Sequence, residues 1–306
     1  MPETPLAKGR VVIVTGAGRG LGRAHALAFA RSGARVVVND LGVALNGSAG
    51  EGRSPAEQVA EEIRGRGGEA VASADDVASA AGAENLVRTA LDRFGALDTL
   101  VNNAGFLRDR MLVNLDEDDW DAVIRVHMKG HFLPMRHAAA HWRAEAKAGR
   151  VPEARVVNTS SGAGLLGSVG QGNYTAAKAG IAALTLVASA EFARYGVQVN
   201  AIAPAARTRM TEDTFAADMA APEAGFDAMA PENVSPLVVY LGSPASRGVT
   251  GRVFETEAGR VTLMDGWRRA AHADKGASRW TPAELDTAVR DLLAEAPDPE
   301  PVYGAR

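Results

Sequence analysis

The chain has 306 residues, 46% of them hydrophobic, 23% charged and none of them cysteine, which suits one large α/β domain. Its 33 basic and 37 acidic residues leave a net charge of −4, arguing against nucleic acid or an anionic membrane surface as the main partner. With no cysteine, neither a disulfide framework nor a thiolate metal site can form, and no metal site is expected. Residues 1–10 lack the apolar core of a signal peptide, and no run of about 18 apolar residues stands out, so a cytoplasmic protein with no membrane partner is expected.

Val11 to Thr15 is a β-branched run of the kind buried on both faces of a parallel sheet. It leads into Thr15-Gly-Ala-Gly-Arg-Gly-Leu-Gly22 and an Ala/Leu helix closed by Ser32-Gly33. Glycines between a buried strand and a helix let the backbone approach a pyrophosphate seated on the helix N-terminus. A second strand, Arg35 to Val38, runs out into Asn39-Asp40. A carboxylate there can accept hydrogen bonds from an adenosine ribose and repel a 2′-phosphate, which favours NAD over NADP. Arg19 inside the glycine turn pulls mildly toward NADP.

Residues 41–53 form a glycine-rich insertion, and Ser54-Pro-Ala-Glu57 reads as a capping box opening a helix to about Arg66. A short strand (Ala70 to Ser73) precedes Asp75-Asp76-Val77, followed by a helix from Ser79 to Phe94 and a fourth strand, Leu97 to Val101. That strand ends in Asn102-Asn103-Ala104-Gly105. From Asp116 to about Lys147 one long helical pattern carries Trp120, Val123, Ile124, Val126, Phe132 and Leu133 at core spacing, and its basic end from Arg143 to Arg150 reads as an exposed loop. A fifth strand, Arg155 to Asn158, delivers Thr159-Ser160-Ser161 at its carboxyl end, where ligands bind in open α/β sheets. Alternation at this spacing predicts right-handed βαβ units and a doubly wound parallel sheet of seven strands.

Ala176 to Phe192 reads as a long buried helix, entered through Gln171-Gly-Asn-Tyr174. Tyr174 and Lys178 lie four apart and therefore on one helical face. A phenol with its ordinary pKa near 10 is a poor base. An ammonium about 4 Å away would favour phenolate by up to roughly 4 kcal/mol at an effective dielectric near 20, about three pKa units. Val197 to Ala203 is a sixth strand followed by Pro204, and residues 205–230 are the natural candidate for a substrate lid. Pro231 to Leu241 is a short helix and Arg252 to Glu255 a seventh strand. Beyond about residue 270 come a capping box at Thr281-Pro-Ala-Glu284, a helix to about Ala294 and a Pro-rich, mobile end. The expected division is one domain over 1–270, with a C-terminal helix and tail over 271–306.

In register, T-G-x-x-x-G-x-G (15–22), N-N-A-G (102–105), Ser161, Tyr174 with Lys178, and Pro204 resemble the short-chain dehydrogenase/reductase family over roughly residues 8–270. The resemblance implies a Rossmann fold and hydride transfer between a hydroxyl- or carbonyl-bearing carbon and a nicotinamide. Tyr174 would be the acid/base, Lys178 would hold the nicotinamide ribose and lower the tyrosine pKa, and Ser161 would hydrogen-bond the substrate oxygen. Cofactor contacts are implied at Gly16, Gly18, Arg19, Gly20, Leu21, Gly22, Asp40, Asp76, Val77, Asn103, Ala104, Gly105, Tyr174, Lys178 and Pro204. His127 stands where the family's usual asparagine holds a water in the proton path. A histidine can donate, accept and titrate near neutrality there, or it can be a core residue bonded to backbone. Pro204-Ala205 departs from the family's common Pro-Gly.

V-N-D-L-G (38–42), N-N-A-G-F-L-R-D-R (102–110), R-V-H-M-K-G (125–130) and I-A-P (202–204) with T-R-M-T (208–211) are similar to one branch, the (R)-3-hydroxyacyl-CoA dehydrogenase module of the type 2 multifunctional enzymes of β-oxidation. That resemblance implies an NAD-dependent 3-hydroxyacyl-CoA dehydrogenase acting on a small-molecule substrate as a homodimer or homotetramer. Arg108, Arg110, Arg207 and Arg209 are then candidates to grip CoA phosphates. A hydroxysteroid or other secondary-alcohol dehydrogenase is the alternative within the family. A cofactor-binding regulator without catalysis is the alternative outside it, against which Ser161, Tyr174 and Lys178 all speak.

Overall fold

The computed structural model describes residues 5–43, 53–207, 221–222 and 224–305. Of the expected lid over 205–230, residues 208–220 and 223 lie outside the described residues, and Arg209 with them. The chain alternates strand and helix as expected: β1 (Val11–Thr15), α1 (Gly20–Arg31), β2 (Arg35–Asn39), α2 (Pro55–Gly65), β3 (Glu69–Ser73), α3 (Ala80–Phe94), β4 (Thr99–Asn102), α4 (Glu117–Ile124) and α5 (Gly130–Lys147). Then follow β5 (Ala154–Thr159), α6 (Gly162–Leu166), α7 (Gly172–Phe192), β6 (Val197–Ala205), α8 (Ser235–Leu241), β7 (Val253–Glu257), β8 (Arg260–Met264) and α9 (Pro282–Glu295).

The strand order is β3-β2-β1-β4-β5-β6-β7-β8. Strands β1 to β7 pair in parallel and β8 runs antiparallel to β7, so the sheet has eight strands where seven were expected. Glu257 and Arg260 flank a two-residue hairpin loop, Ala258-Gly259, with Ala258 at φ +51°. That pair lacks the Asn-Gly or Asp-Gly signature of a tight hairpin, so the eighth strand is not marked in the sequence.

Side chains alternate across each strand, and the two faces bury separate cores. Val12 and Val14 point to the side holding Phe29, Ile63 and Val238, covered by α1, α2 and α8. Val11 and Ile13 point to the side holding Leu86, Trp142 and Val199, covered by α3, α5 and α7. The order reverses between β1 and β4, which opens a crevice at the carboxyl ends of the strands.

A buried polar run crosses the sheet beneath that crevice. Asn102 on β4 donates to Asn158 Oδ1 on β5 (3.0 Å), Asn158 donates to Thr185 Oγ1 on α7 (3.0 Å), and Thr185 donates to Ile181 O (2.8 Å). All three side chains are fully buried.

Several local expectations are corrected. The segment expected as one helix from Asp116 is interrupted by a π-helical turn, Arg125–Lys129. Pro134, inside the first turn and a half of α5, has no N–H to return to Gly130, and a widened turn one turn earlier absorbs the misfit. Arg143 to Lys147 stays helical rather than forming a loop. Trp120 and Phe132, at core spacing, are 37% and 46% exposed. Ser54 makes no side-chain cap to α2, whereas Thr281 and Glu284 form the full capping box of α9.

Gly172–Tyr195 is apolar and long enough to cross a bilayer by composition alone. In the fold only the stripe Asn173, Ala177, Lys178, Ile181, Thr185 and Ala188 is buried, and Leu186 and Val187 are exposed. The expectation of a wholly buried helix is therefore corrected to one buried stripe with an apolar outer face. Finally, the tail expected to be mobile docks on the body, with Tyr303 pairing to Ser168.

Candidate active site

The glycine turn lies between β1 and α1, and its shape is set from two directions. The Asn103 side chain donates to Thr15 O (3.0 Å) and Gly16 O (3.3 Å), while Thr15 Oγ1 accepts from the N–H groups of Asn103 (2.9 Å) and Ala104 (3.1 Å). Asp40, at the end of β2, accepts from the Gly18 N–H (2.9 Å) and the Gly42 N–H (2.8 Å). A Cβ on Gly18 would lie 2.7 Å from the Asp40 carboxylate, so a larger residue would fill the space between turn and carboxylate. Gly20, Leu21 and Gly22 form the first turn of α1, which has no side-chain cap and no acidic residue; Arg19 at its N-cap is exposed. A helix N-terminus with free N–H groups, beside a glycine cradle, fits the phosphates of a dinucleotide.

Of the two cofactor contacts expected after β3, Val77 is buried, and the Asp76 carboxylate accepts from the Ala78 N–H (2.8 Å) and pairs with Arg125. Pro204 lies within β6 and not after it. It pairs only with Thr256 of β7, because β5 has already ended at Thr159, opposite Ile202. A strand position with one free side tolerates proline's missing donor.

The fold brings Ser161, Tyr174, Lys178 and His127 together at the carboxyl ends of β4 and β5. Ser161 follows β5 and caps α6, accepting from the Ala163 N–H (3.2 Å), and its hydroxyl faces Tyr174 closely enough to lower the phenol pKa. Lys178 Nζ lies 5.4 Å from the Tyr174 ring centroid and donates to Thr159 O at 2.6 Å. Ser160 donates to Lys178 O (2.8 Å) and ties α7 to β5.

The expected depression of the tyrosine pKa is not what this arrangement produces. Burial raises the Tyr174 hydroxyl above its ordinary value, the Ser161 hydrogen bond draws it partly back, and the Asp109 carboxylate pushes it up again. Burial also lowers the Lys178 ammonium from 10.5 to about 7. Its charge is thus weakened near neutrality and directed at a backbone carbonyl.

His127 is fully buried within the π turn, its ring edge-on to Tyr174 with centroids 5.3 Å apart. Its Nε2 lies 2.8 Å from Phe106 O and 3.1 Å from Phe106 N, and Nδ1 has no partner among the described residues. A Cβ on Gly105 would come within 2.2 Å of the imidazole, so the glycine of N-N-A-G makes room for this ring. Burial, then the Lys178 charge, lowers His127 to about 3. The ring is therefore neutral near pH 7, which corrects the expectation of a group titrating there; it can still donate or accept one proton in a hydrogen bond.

Two residues the sequence reading passed over complete the site. Asn173 accepts from the Tyr174 N–H (2.7 Å) and donates to Arg108 O (3.2 Å) and Asp119 O (3.3 Å), fixing the start of α7 against the loop after β4. His131, fully buried, lies 3.4 Å from the Thr159 N–H. The signal for Asn173 was a buried amide opening an otherwise apolar helix; His131 carries no local signal. Of the arginines expected as candidates for CoA phosphates, Arg108 and Arg110 both pair with Asp119, and Arg207 pairs with Asp227.

A family model for short chain dehydrogenases matches residues 10–218. The chain is 46% identical over 299 residues to the hydroxyacyl-CoA dehydrogenase ChsB1 of Mycobacterium tuberculosis, covering 97% of this chain and 92% of that one. It is 44% identical over 265 residues to the peroxisomal multifunctional enzyme type 2 of Mus musculus, covering 87% of this chain but 34% of that longer protein. A crystal structure of a short chain dehydrogenase from Mycobacterium avium superposes with a TM-score of 0.88 at 60% identity, covering 98% of this chain and all of that one.

Proposed function

Because the chain belongs to the short-chain dehydrogenase family, whose members use a nicotinamide cofactor on CH–OH groups, we propose that it is an NAD-dependent dehydrogenase interconverting (R)-3-hydroxyacyl-CoA and 3-oxoacyl-CoA. The observation that carries this reading is the near full-length match to a hydroxyacyl-CoA dehydrogenase, with Ser161, Tyr174 and Lys178 brought together.

The residues that would hold the cofactor are the glycine turn Gly16–Gly22 for the pyrophosphate, Asp40 for the adenosine ribose, Asp76 and Val77 for adenine, and Asn103–Gly105, Tyr174, Lys178 and Pro204 toward the nicotinamide. When bound, the nicotinamide accepts or supplies a hydride. In oxidation Tyr174 Oη takes the hydroxyl proton of the substrate, and in reduction it returns one. Ser161 donates a hydrogen bond to the same substrate oxygen, stabilising the charge that develops on it. Lys178, anchored on Thr159 O, holds positive charge beside the phenol while protonated. Neutral His127 fixes the Phe106 backbone and the tyrosine ring edge without carrying charge. The exposed apolar residues Leu186, Val187, Phe132 and Trp120 support a homodimer or homotetramer.

Turnover of both 3-hydroxyacyl-CoA epimers, the free hydroxy acid and a hydroxysteroid, assayed side by side with NAD, tests the substrate. The (R) thioester is expected to be by far the best; steroid turnover without thioester turnover replaces this reading with the alternative. Cofactor choice has its own test. Asp40→Ser removes a charged acceptor worth about 1.5 kcal/mol or more, so KM for NAD rises roughly tenfold. NADP use improves, since the 2′-phosphate no longer meets a carboxylate. A wild type using NADP as well as NAD removes Asp40 from this role.

A further inference from the structure

The tail beyond α9 reaches the catalytic end of the sheet. The Val169 N–H donates to Tyr303 O (2.9 Å) and the Tyr303 N–H donates to Gly167 O (3.2 Å), so residue 303 lies alongside the segment joining Ser161 to Tyr174. Val302 packs on Gly167, its methyls 3.2 and 3.4 Å from where a Cβ would stand. The Tyr303 hydroxyl donates to Glu255 Oε1 (3.4 Å) on β7, and both groups crowd Gly162, the residue after Ser161: a Cβ there would lie 2.9 Å from the hydroxyl and 3.1 Å from the carboxylate.

Tyr303 therefore spans from the end of β5 to β7, across the carboxyl end of β6. That is the side of the crevice holding Ser161 and Tyr174, away from the glycine turn. Tyr303 is 44% exposed, so it presents surface beside the serine instead of filling the core. Surface placed there meets whatever is attached to the reacting carbon, and the ring with Val302 offers that substituent an apolar face. Glu255 fixes the ring through its hydroxyl and adds no hydrophobic area.

We propose that the segment Val302–Gly304 is a wall of the substrate site, with Tyr303 setting how large an acyl substituent the site accepts. This rests on the hydroxyacyl thioester reading above. The tail is a specificity element: it contributes no group to proton or hydride transfer. Trimming the ring opens the site to larger substrates and removes packing from small ones. Enlarging the ring does the reverse.

The test uses the full chain carrying Tyr303→Ala, Tyr303→Trp or Tyr303→Phe. For each, kcat and KM are measured with a four-carbon and a sixteen-carbon (R)-3-hydroxyacyl-CoA, and NADH binding is followed by fluorescence. Relative to wild type, Tyr303→Ala is expected to raise the long-to-short ratio of kcat/KM about tenfold, the scale on which pocket volume discriminates. Tyr303→Trp lowers that ratio, Tyr303→Phe leaves it within about twofold, and NADH affinity is unchanged throughout. A ratio that stays constant in both the Ala and Trp variants overturns the wall, as does Tyr303→Phe shifting it as far as Tyr303→Ala. Wild type without thioester turnover overturns the functional reading and the wall together, a result separable from constant ratios in an active enzyme.

Discussion

Tyr174→Phe leaves binding of the nicotinamide cofactor near the wild-type value and lowers kcat by about 10²–10⁴-fold, the usual contribution of a positioned general acid/base. The substitution keeps the ring that packs edge-on to His127 and removes only the hydroxyl that faces Ser161. Stability therefore changes little while proton transfer loses its carrier. The direction of the tyrosine shift gives the result a pH signature. Burial raises the phenol pKa, so oxidation, which needs the phenolate, climbs with pH across the assay range. Reduction needs the phenol, which stays protonated across that range, so its rate changes little with pH. Stopped-flow measurement in both directions reads the two profiles, and a variant retaining most of its rate removes Tyr174 from the chemistry.

Lys178→Met is expected to separate stability from activity. Lys178 is 3% exposed, and burial lowers its ammonium from 10.5 to about 7. Because the folded-state pKa lies below the unfolded one, the unfolded chain binds more protons between pH 7 and 10.5. Wild-type stability therefore rises with pH through that window, by about 1.4 kcal/mol per unit at most. At pH 6 the folded protein carries a desolvated charge with one carbonyl partner, and replacing it with an apolar side chain of similar length stabilises the fold by about 2 kcal/mol. The advantage of Lys178→Met shrinks as pH climbs toward 10, while kcat falls by two orders of magnitude or more at every pH. Urea unfolding at pH 6, 8 and 9.5, with rates on the same samples, checks both halves. A variant less stable than wild type at pH 6 shows that the lysine's bond to Thr159 O outweighs its desolvation.

What the sequence disclosed was what short-range spacing encodes. The glycine turn, Asp40, N-N-A-G, Ser161 and the Tyr174–Lys178 pair each sit at the end of a strand or the start of a helix, and strand–helix alternation brings them to one edge. What it concealed depends on contacts between distant segments. The eighth strand turns on Ala258-Gly259, a pair with no hairpin signature. The π turn at His127 answers to Pro134, and the neutrality of His127 comes from burial that no local pattern reports. Spacing placed the ammonium on the tyrosine's face, but Thr159 O captures it, and desolvation dominates both groups. The tail's docking at Ser168 involves residues 135 positions apart, and its Pro-rich composition suggested the opposite.

The buried run Asn102–Asn158–Thr185 bears on how the chain finds this fold. Parallel strands of valine and leucine offer many registers of nearly equal hydrophobic gain, since a slip by two residues keeps apolar against apolar. A slip of β5 against β4 by one residue would turn Asn158 to the opposite face, and a slip by two would carry it past Asn102. Either way two amides are stranded in the interior, at about 1–3 kcal/mol for each unsatisfied group. The half of the sheet from β3 to β4 and the half from β5 to β8 meet at this one pairing. The amide ladder thus acts as a proofreader of register: it penalises misaligned halves, and so ties correct assembly of the crevice to side chains that never touch a ligand.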